Sequence, residues 1–258
     1  MKIAVGGFGL QGLVAIPFFR VINDLGIKAE VVASGIAGFY AILRENLDEA
    51  KAIESTLTLV KKLEKDLRVV DRAGICEGER LKSWKKEAVE YCVDLSIKNG
   101  RRNYAEIKKL LPELKMMKNI YIEYLDLEEY KVKLYSGDPI EGAIISLAFP
   151  GIFPPYNGKI VSTTYLTQIP LESMNEGEIV IGNLRNPCFC KNASSDEFLS
   201  QSAELRALMY AKTLIKAKNL KVVKAKQILW KKFLNNNLYF LDETYDDLKK
   251  KIKEVMNL

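Results

Sequence analysis

The chain has 258 residues, of which 48% are apolar and 28% charged, a composition typical of folded globular proteins and unlike that of disordered ones. Lysine and arginine total 39 and aspartate and glutamate 33, giving a net charge of +6. There is no histidine, which excludes Ser-His-Asp and Cys-His catalytic sites, the HExxH metalloprotease helix and histidine-ligated zinc. Hydrolytic chemistry in this chain would have to use carboxylates or lysines.

The cysteines and the amino-terminal residues give no sign of an oxidised, metal-binding or exported protein. Of Cys76, Cys92, Cys188 and Cys190, only the last two lie close in sequence, and their spacing of one residue is tighter than that of usual zinc-binding pairs. We expect reduced thiols, no metal site and no cofactor. The apolar residues 3–5 run directly into glycines, so no signal peptide is predicted and we expect a cytoplasmic protein.

The first forty residues predict two successive strand–turn–helix units, which is how a parallel sheet begins. The apolar residues of the first helix recur on one face, from Val14 through Phe18 to Leu25, and Gly26 is a typical stop. In chain order we predict a strand at 2–5, a glycine-rich turn at 6–12, this helix, a strand at 30–33, a tight turn at 34–38 and a helix from about residue 39.

The rest of the chain alternates between charged helices and short apolar strands. Asp138 is the expected N-cap of a helix that has Pro139 as its first residue. We expect one α/β domain over 1–258, with a mainly parallel central sheet and helices on both faces. Its predicted elements are helices over 48–118 with breaks at 74–79 and 99–100, strands at 120–124 and 130–134, a helix at 138–148, strands at 160–161 and 178–181, and a mainly helical region from about 190 with a strand at 220–223.

The first turn contains a GxGxxG motif, formed by Gly7, Gly9 and Gly12 between a predicted strand and a predicted helix. This is the dinucleotide-binding fingerprint, in which glycines let backbone N–H groups approach a pyrophosphate at a helix N-terminus. An acidic residue should follow at the end of the second strand to bind ribose hydroxyls, but that strand ends at Ser34, and Glu30 lies at its beginning. Dinucleotide binding is therefore an alternative prediction that lacks one element.

The second turn indicates a different chemistry. Residues 30–38 (Glu-Val-Val-Ala-Ser-Gly-Ile-Ala-Gly) have the length and layout of a nucleophile elbow, the sharp turn that presents a nucleophile at the head of a helix. Residues 136–155 (Ser-Gly-Asp-Pro-Ile-Glu-Gly-Ala-Ile-Ile-Ser-Leu-Ala-Phe-Pro-Gly-Ile-Phe-Pro-Pro) are similar to the helix and following loop of the patatin-like phospholipases, which are acyl hydrolases. Residues 168–170 and 178–182 resemble the same family, so the resemblance covers roughly residues 2–185 in the family's order.

The resemblance implies a Ser–Asp dyad that works without histidine, but this chain departs from the family at both dyad positions. Aligned on residues 30–38, the nucleophilic serine corresponds to Ile36 and the first elbow glycine to Ser34. Counted back from Pro170, the aspartate corresponds to Ser162, and the glycines after it correspond to Thr163 and Thr164. The oxyanion loop departs as well, since its middle glycine corresponds to Phe8 and its arginine to Gln11.

These departures predict binding without turnover. An isoleucine cannot attack a carbonyl carbon, and loss of a hydrolase nucleophile typically lowers the rate by about 10⁶-fold. A serine at position 162 cannot act as a general base near neutral pH. Backbone N–H groups of the first turn keep their ability to bind an anionic or carbonyl oxygen. We therefore expect an inactive member of the family with an acyl- or phospholipid-binding cleft built from Gly7, Phe8, Gly9, Leu10, Gln11, Gly12, Ser34, Gly35, Ile36, Ala37, Gly38, Ser162, Thr163 and Thr164.

The backbone at Ile36 carries a further prediction. A β-branched residue at positive φ would cost about 1–3 kcal/mol, so we expect the turn to have relaxed to ordinary φ at this position. The alternative function is an active serine ester hydrolase with a relocated nucleophile, most plausibly Ser34. Ser34 would then need a placed base, and no sequence pattern identifies one.

The segment 212–232 carries eight lysines and no acidic residue. Lysines interspersed with apolar residues are typical of the solvated face of amphipathic elements, and peripheral contact with an anionic membrane is the alternative interpretation. Because aromatic residues for base stacking are sparse there, we expect no nucleic-acid partner. A fatty acyl or phospholipid ligand is the expected partner of the cleft, and the sequence does not determine an oligomeric state.

Overall fold

The structure is a computed structural model that describes residues 1–67, 102–111, 113–150, 152–184 and 195–258. These residues form an α/β structure around a seven-stranded, mainly parallel sheet, as the sequence predicts. The predicted breaks at 74–79 and 99–100 and all four cysteines lie outside the described residues. Within the described part of the chain, no helix is both long enough and apolar enough to cross a bilayer.

Every predicted strand forms. The strands are β1 (Lys2–Val5), β2 (Glu30–Ala33), β3 (Ile120–Asp126), β4 (Lys131–Tyr135), β5 (Ile160–Ser162), β6 (Ile179–Ile181) and β7 (Lys221–Val223). Their spatial order is β4-β3-β2-β1-β6-β7, with β5 also paired to β3. The pairs β1–β2, β1–β6, β2–β3 and β6–β7 are parallel, whereas β4 and β5 run antiparallel to β3.

Helices of the described residues connect and cover these strands. A 3-10 helix (Gly9–Val14), which the sequence does not predict, joins the glycine-rich turn to the first α-helix. The α-helices are α1 (Ala15–Asp24), α2 (Gly35–Asn46), α3 (Glu49–Lys62), α4 (Tyr104–Lys108), α5 (Pro139–Ser146), α6 (Thr164–Thr167), α7 (Ser195–Ala217), α8 (Trp230–Asn235) and α9 (Tyr239–Met256).

The sheet is covered on both faces, which explains the continuous apolar runs of its central strands. Ile3 and Val5 of β1 face the larger core, where they meet side chains of α1, α2 and α9 such as Phe18 and Phe39. Ala4, between them, faces a second cluster that includes Ala211 of α7. Successive residues of β1 therefore contribute to opposite layers, and the predicted arrangement of helices on both faces is confirmed.

The N-cap predicted at the start of α5 is confirmed. Asp138 Oδ1 accepts a hydrogen bond from the Glu141 N–H at 2.8 Å, and Pro139 is the first helical residue. The start of α2 differs from the prediction, because the helix begins at Gly35 rather than near Phe39. Gly35 has φ +62°, and this one residue turns the chain from the strand into the helix. The residues after it can therefore adopt helical geometry.

Two strands share one edge of β3, and this arrangement positions the site. Ala33 of β2 lies opposite Ile122, and Ser162 of β5 lies opposite Tyr124. Because β2 is parallel and β5 antiparallel to β3, the carboxyl ends of β2 and β5 point at each other. They meet beside Glu123, the residue of β3 between the two ladders.

Candidate functional site

The glycine-rich turn is closely packed at two of its motif glycines, Gly7 and Gly12, and has a positive φ at the third, Gly9. A Cβ atom on Gly7 would lie 2.7 Å from the backbone carbon of Gln11, and one on Gly12 would lie 3.0 Å from the Ile36 Cβ. Gly9 has φ +55°, a conformation that other residues rarely adopt. The glycines therefore serve a tight turn and the close approach of the 3-10 helix to α2.

Gln11 is tied to a distant part of the chain. Its Nε2 donates to the Ile228 carbonyl at 2.8 Å, and its Oε1 accepts from the Ile228 N–H at 3.0 Å. The resemblance aligns Gln11 with an arginine of the oxyanion loop. In this chain both polar atoms of the side chain at that position bind backbone, which gives Gln11 a structural role in joining the glycine-rich turn to the segment before α8.

Ile36 has ordinary helical φ, as predicted, and Gly35 before it carries the positive φ. Gly35 has little space around it, since a Cβ there would lie 2.8 Å from Thr164 Oγ1. Gly38 is equally confined, since a Cβ there would lie 2.9 Å from the Ser146 Cβ. Ala37 is fully buried between them. The elbow region is therefore a compact helix start without strain at Ile36.

The head-to-head ends of β2 and β5 bring together a buried cluster of hydroxyl groups. Ser162 Oγ donates to Thr164 Oγ1 at 3.2 Å, and Thr164 Oγ1 donates to Ser34 Oγ at 3.0 Å. Thr163 Oγ1 donates to the Glu123 carbonyl at 3.0 Å. All four side chains are buried. Hydrogen bonds between hydroxyl groups thus join the elbow to the segment that the resemblance aligns with the aspartate motif.

Glu123 is a buried residue next to this cluster that the sequence analysis missed. Its Oε2 accepts from the Ser173 N–H at 2.8 Å and from Ser173 Oγ at 2.6 Å, while its Oε1 has no partner among the described residues. Burial raises the pKa of Glu123, against the lowering effect of the bonds from Ser173. The sequence feature that could have identified Glu123 is that it is the single acidic residue in the run Ile-Tyr-Ile-Glu-Tyr-Leu of β3.

A small cavity of about 30 Å³ lies between the glycine-rich turn and the start of α2. That is space for roughly one or two water molecules. The Phe149 ring, which lines it, contacts the Phe8 ring edge-on with centroids 5.3 Å apart. The cavity is lined by Gly7, Gly9, Gly35, Ile36, Leu63, Leu67, Ser146, Leu147, Phe149, Ile152, Phe153 and Thr164.

The structure gathers part of the predicted cleft at this cavity. Gly7, Gly9, Gly35, Ile36 and Thr164 border it directly. The other predicted residues take supporting positions: Leu10 lies in the core, Ser34 and Ser162 bond to Thr164, and Thr163 bonds to β3.

The lining limits the chemistry that this cavity can support. None of the described residues that line it carries an ionisable side chain, so none of them can act as a general base. Ser146 Oγ donates to the Ala143 carbonyl at 2.8 Å, which satisfies a polar group within its own helix. At about 30 Å³ the cavity holds neither a pyrophosphate nor an acyl chain without widening. An apolar group contacting backbone amides and hydroxyls fits the lining best.

The comparisons with known proteins give no further assignment. No protein-family model matches the chain, and a search of curated proteins finds no match.

Proposed function

We propose that this protein is a catalytically inactive relative of the patatin-like acyl hydrolases that binds an acyl chain at the cavity beside the glycine-rich turn. The observation that carries the proposal is the meeting of three segments, which the resemblance aligns with the oxyanion loop, the nucleophile elbow and the aspartate motif. Ser34 and Thr164 are 130 residues apart in sequence and hydrogen-bonded in the structure. Three segments that the resemblance identifies separately along the chain therefore lie next to one another in the structure.

The composition of the cavity wall supports binding of an apolar ligand. Leu63, Leu147, Phe149 and Phe153 supply aliphatic and aromatic surface, and Thr164 supplies a hydroxyl close to the glycine-rich turn. Lipid-binding sites characteristically combine a mostly apolar wall with a few polar groups that fix the orientation of the ligand. A carboxylate or ester headgroup would lie against the backbone of the turn, with its chain directed towards the leucines.

The cavity must widen before it can hold an acyl chain, since its volume is about 30 Å³. Leu63 directly follows α3, Leu67 lies four residues further along the chain, and Phe149 is half-buried in the loop after α5. Rotation of these side chains is the least costly way to enlarge the space, because none of them belongs to the sheet. Opening lowers the apparent affinity by the fraction of molecules that are open, so we expect modest affinity for free fatty acid.

A thermal-shift experiment with dodecanoate, kept below its micellar concentration, tests the proposal. Binding to the folded state raises the melting temperature. We expect a dose-dependent rise for the wild type and none with acetate, which has no chain. Leu63→Phe fills the cavity and should abolish the rise. Leu57→Phe is the matched control, because Leu57 lies in α3 but does not line the cavity.

Three results would contradict the proposal. The first is that dodecanoate leaves the melting temperature of the wild type unchanged. The second is that Leu63→Phe and Leu57→Phe respond alike to dodecanoate. A stoichiometric fluorophosphonate adduct on Ser34 or another serine, beside a labelled active hydrolase, would establish an enzyme with a relocated nucleophile. Titration with NAD(P) tests the dinucleotide alternative in the same assay, and a rise in melting temperature with the nucleotide alone would favour it.

A further inference from the structure

The segment 224–238, which links β7 to α9, combines exposed leucines with exposed lysines. We refer to it as the lysine–leucine arm. Three of its side chains, Ala225, Ile228 and Phe233, are buried in the larger core and hold it against the protein. Three leucines point away from that core, with 45%, 49% and 39% of their surface exposed: Leu229, Leu234 and Leu238. The arm is therefore a firmly attached element with an apolar outer surface.

A hydrogen bond and a ring contact order the part of the arm around α8. The Leu229 N–H donates to the Tyr239 hydroxyl at 2.6 Å, which brings the start of α8 next to the turn at Leu238. Trp230 and Leu234 are four residues apart in α8 and so lie on the same side of the helix. Within α8 the Trp230 ring contacts Phe233 edge-on with centroids 5.7 Å apart, and the buried Phe233 holds the helix against the core.

The charge of the arm is uniformly positive. It contains four lysines and no aspartate or glutamate, and Lys224, Lys226, Lys231 and Lys232 are all exposed. Lys232 makes an ion pair of 2.9 Å with Glu243, which lies outside the arm. The lysines and leucines alternate over a short distance, so any partner must meet both positive charge and apolar surface at once.

We propose that the lysine–leucine arm docks on an anionic lipid bilayer. A short segment that exposes leucines among lysines and contains no acidic residue is typical of interfacial membrane segments. The leucines would enter the boundary between headgroups and acyl chains, and the lysines would contact lipid phosphates, as juxtamembrane basic segments do. The double hydrogen bond between Gln11 and Ile228 then places the membrane beside the glycine-rich turn.

The docking has its own physical basis, whereas its role in delivering an acyl chain to the cavity rests on the proposed function. Separate experiments test the docking and the acyl-binding function. Vesicle binding measures docking, and the dodecanoate shift measures the cavity. Vesicle binding without a dodecanoate shift would leave docking in place and remove the acyl function. The converse result would overturn docking alone.

Co-sedimentation with vesicles tests the docking, using phosphatidylcholine alone and phosphatidylcholine mixed with phosphatidylserine. We expect the full chain to sediment with the anionic vesicles and to remain in solution with the neutral ones. Lys226→Glu combined with Lys231→Glu should weaken the binding by about tenfold or more, because two attractive charges become repulsive. The charge-matched control is Lys108→Glu with Lys109→Glu, two exposed lysines of the region after residue 103.

The contribution of the leucines is tested with a matched pair of Leu→Gln substitutions outside the arm. Leu229→Gln with Leu234→Gln should leave residual binding that high salt abolishes, since only screened charge contacts remain. Leu127→Gln with Leu134→Gln changes two leucines of similar exposure, 36% and 37%, on the β3–β4 hairpin and should bind as the wild type does. Circular dichroism and melting temperature confirm that each variant is folded.

Three outcomes would overturn the proposal. The first is that the wild type binds neutral and anionic vesicles equally, and the second is that it binds neither. The third is that the arm variants bind vesicles as their controls do. Retardation of single-stranded RNA without any vesicle binding would assign the lysines to nucleic acid instead.

Discussion

Glu123 Oε2 accepts two hydrogen bonds from Ser173, one from its N–H and one from its Oγ, while Glu123 Oε1 is buried without a partner among the described residues. A carboxylate in this position is only half satisfied, and burial raises its pKa. The carboxyl joins β3 to the loop before β6 at the cost of an unfavourable charge whenever it ionises.

We predict that Glu123→Gln removes a pH-dependent loss of stability. In the unfolded chain Glu123 ionises near its ordinary pKa of 4.5, and in the folded protein only at higher pH. The wild type should therefore lose stability as pH rises from about 4.5 to the folded pKa, by at most about 1.4 kcal/mol per pH unit from this group. Urea unfolding of both proteins between pH 4 and 8 gives the difference. A pH-independent difference between them would contradict the prediction.

We predict that Gly35→Ala destabilises the protein more than Gly26→Ala. Both glycines have φ +62°, but a Cβ added to Gly26 would meet no atom of the described residues within 4 Å, whereas one added to Gly35 would lie 2.8 Å from Thr164 Oγ1. Gly26→Ala should cost about 1 kcal/mol from backbone strain, and Gly35→Ala about 1–3 kcal/mol more from crowding. Urea unfolding measures both. Thr164→Ala should relieve part of the added cost in a double-mutant cycle, and strict additivity would refute the crowding.

We predict that Gln11→Ala loosens the attachment of the lysine–leucine arm. The variant loses both hydrogen bonds to Ile228 and should cost about 1–3 kcal/mol. Hydrogen exchange of the Ile228 amide should accelerate, because its acceptor is removed. Gln227→Ala changes the exposed glutamine next to Ile228 and should leave both the stability and the exchange rate unchanged. Unchanged Ile228 exchange in Gln11→Ala would contradict the structural role of Gln11.

We predict that Ile36→Ser does not create a hydrolase. The substitution restores a hydroxyl at the nucleophile position of the resemblance, but none of the described residues that line the cavity with Ile36 is ionisable. Its polar side chains, Ser146 and Thr164, do not accept a proton near neutral pH. Fluorophosphonate labelling with peptide mapping should find no adduct at position 36. Since Ile36 is 4% exposed, we expect a loss of about 2–4 kcal/mol in stability. An adduct at position 36 would reveal a base that the hydroxyl cluster does not supply.

The sequence predicted the elements of this fold well because their signals are local. Apolar runs indicated the central strands, and Asp138 followed by Pro139 indicated the start of α5. It also predicted the relaxed φ at Ile36, since the steric cost of a β-branched residue is a property of that residue alone.

The contacts that complete the site could not be predicted in this way. The bonds from Gln11 to Ile228 and from Ser173 to Glu123 join residues 217 and 50 positions apart. No periodicity or spacing in the sequence registers such pairs. The start of α2 was missed for a related reason, because only the backbone at Gly35 determines that the helix begins there.

The position of β1 in the sheet has a consequence for how the chain is made. This strand leaves the ribosome long before β6, yet it lies between β2 and β6 and pairs on its second edge with Ile179–Ile181. Through most of translation that edge presents unpaired amide and carbonyl groups beside apolar side chains, the arrangement most prone to pairing with another chain. The nascent chain therefore carries an unpaired, apolar strand edge until β6 emerges and closes the sheet.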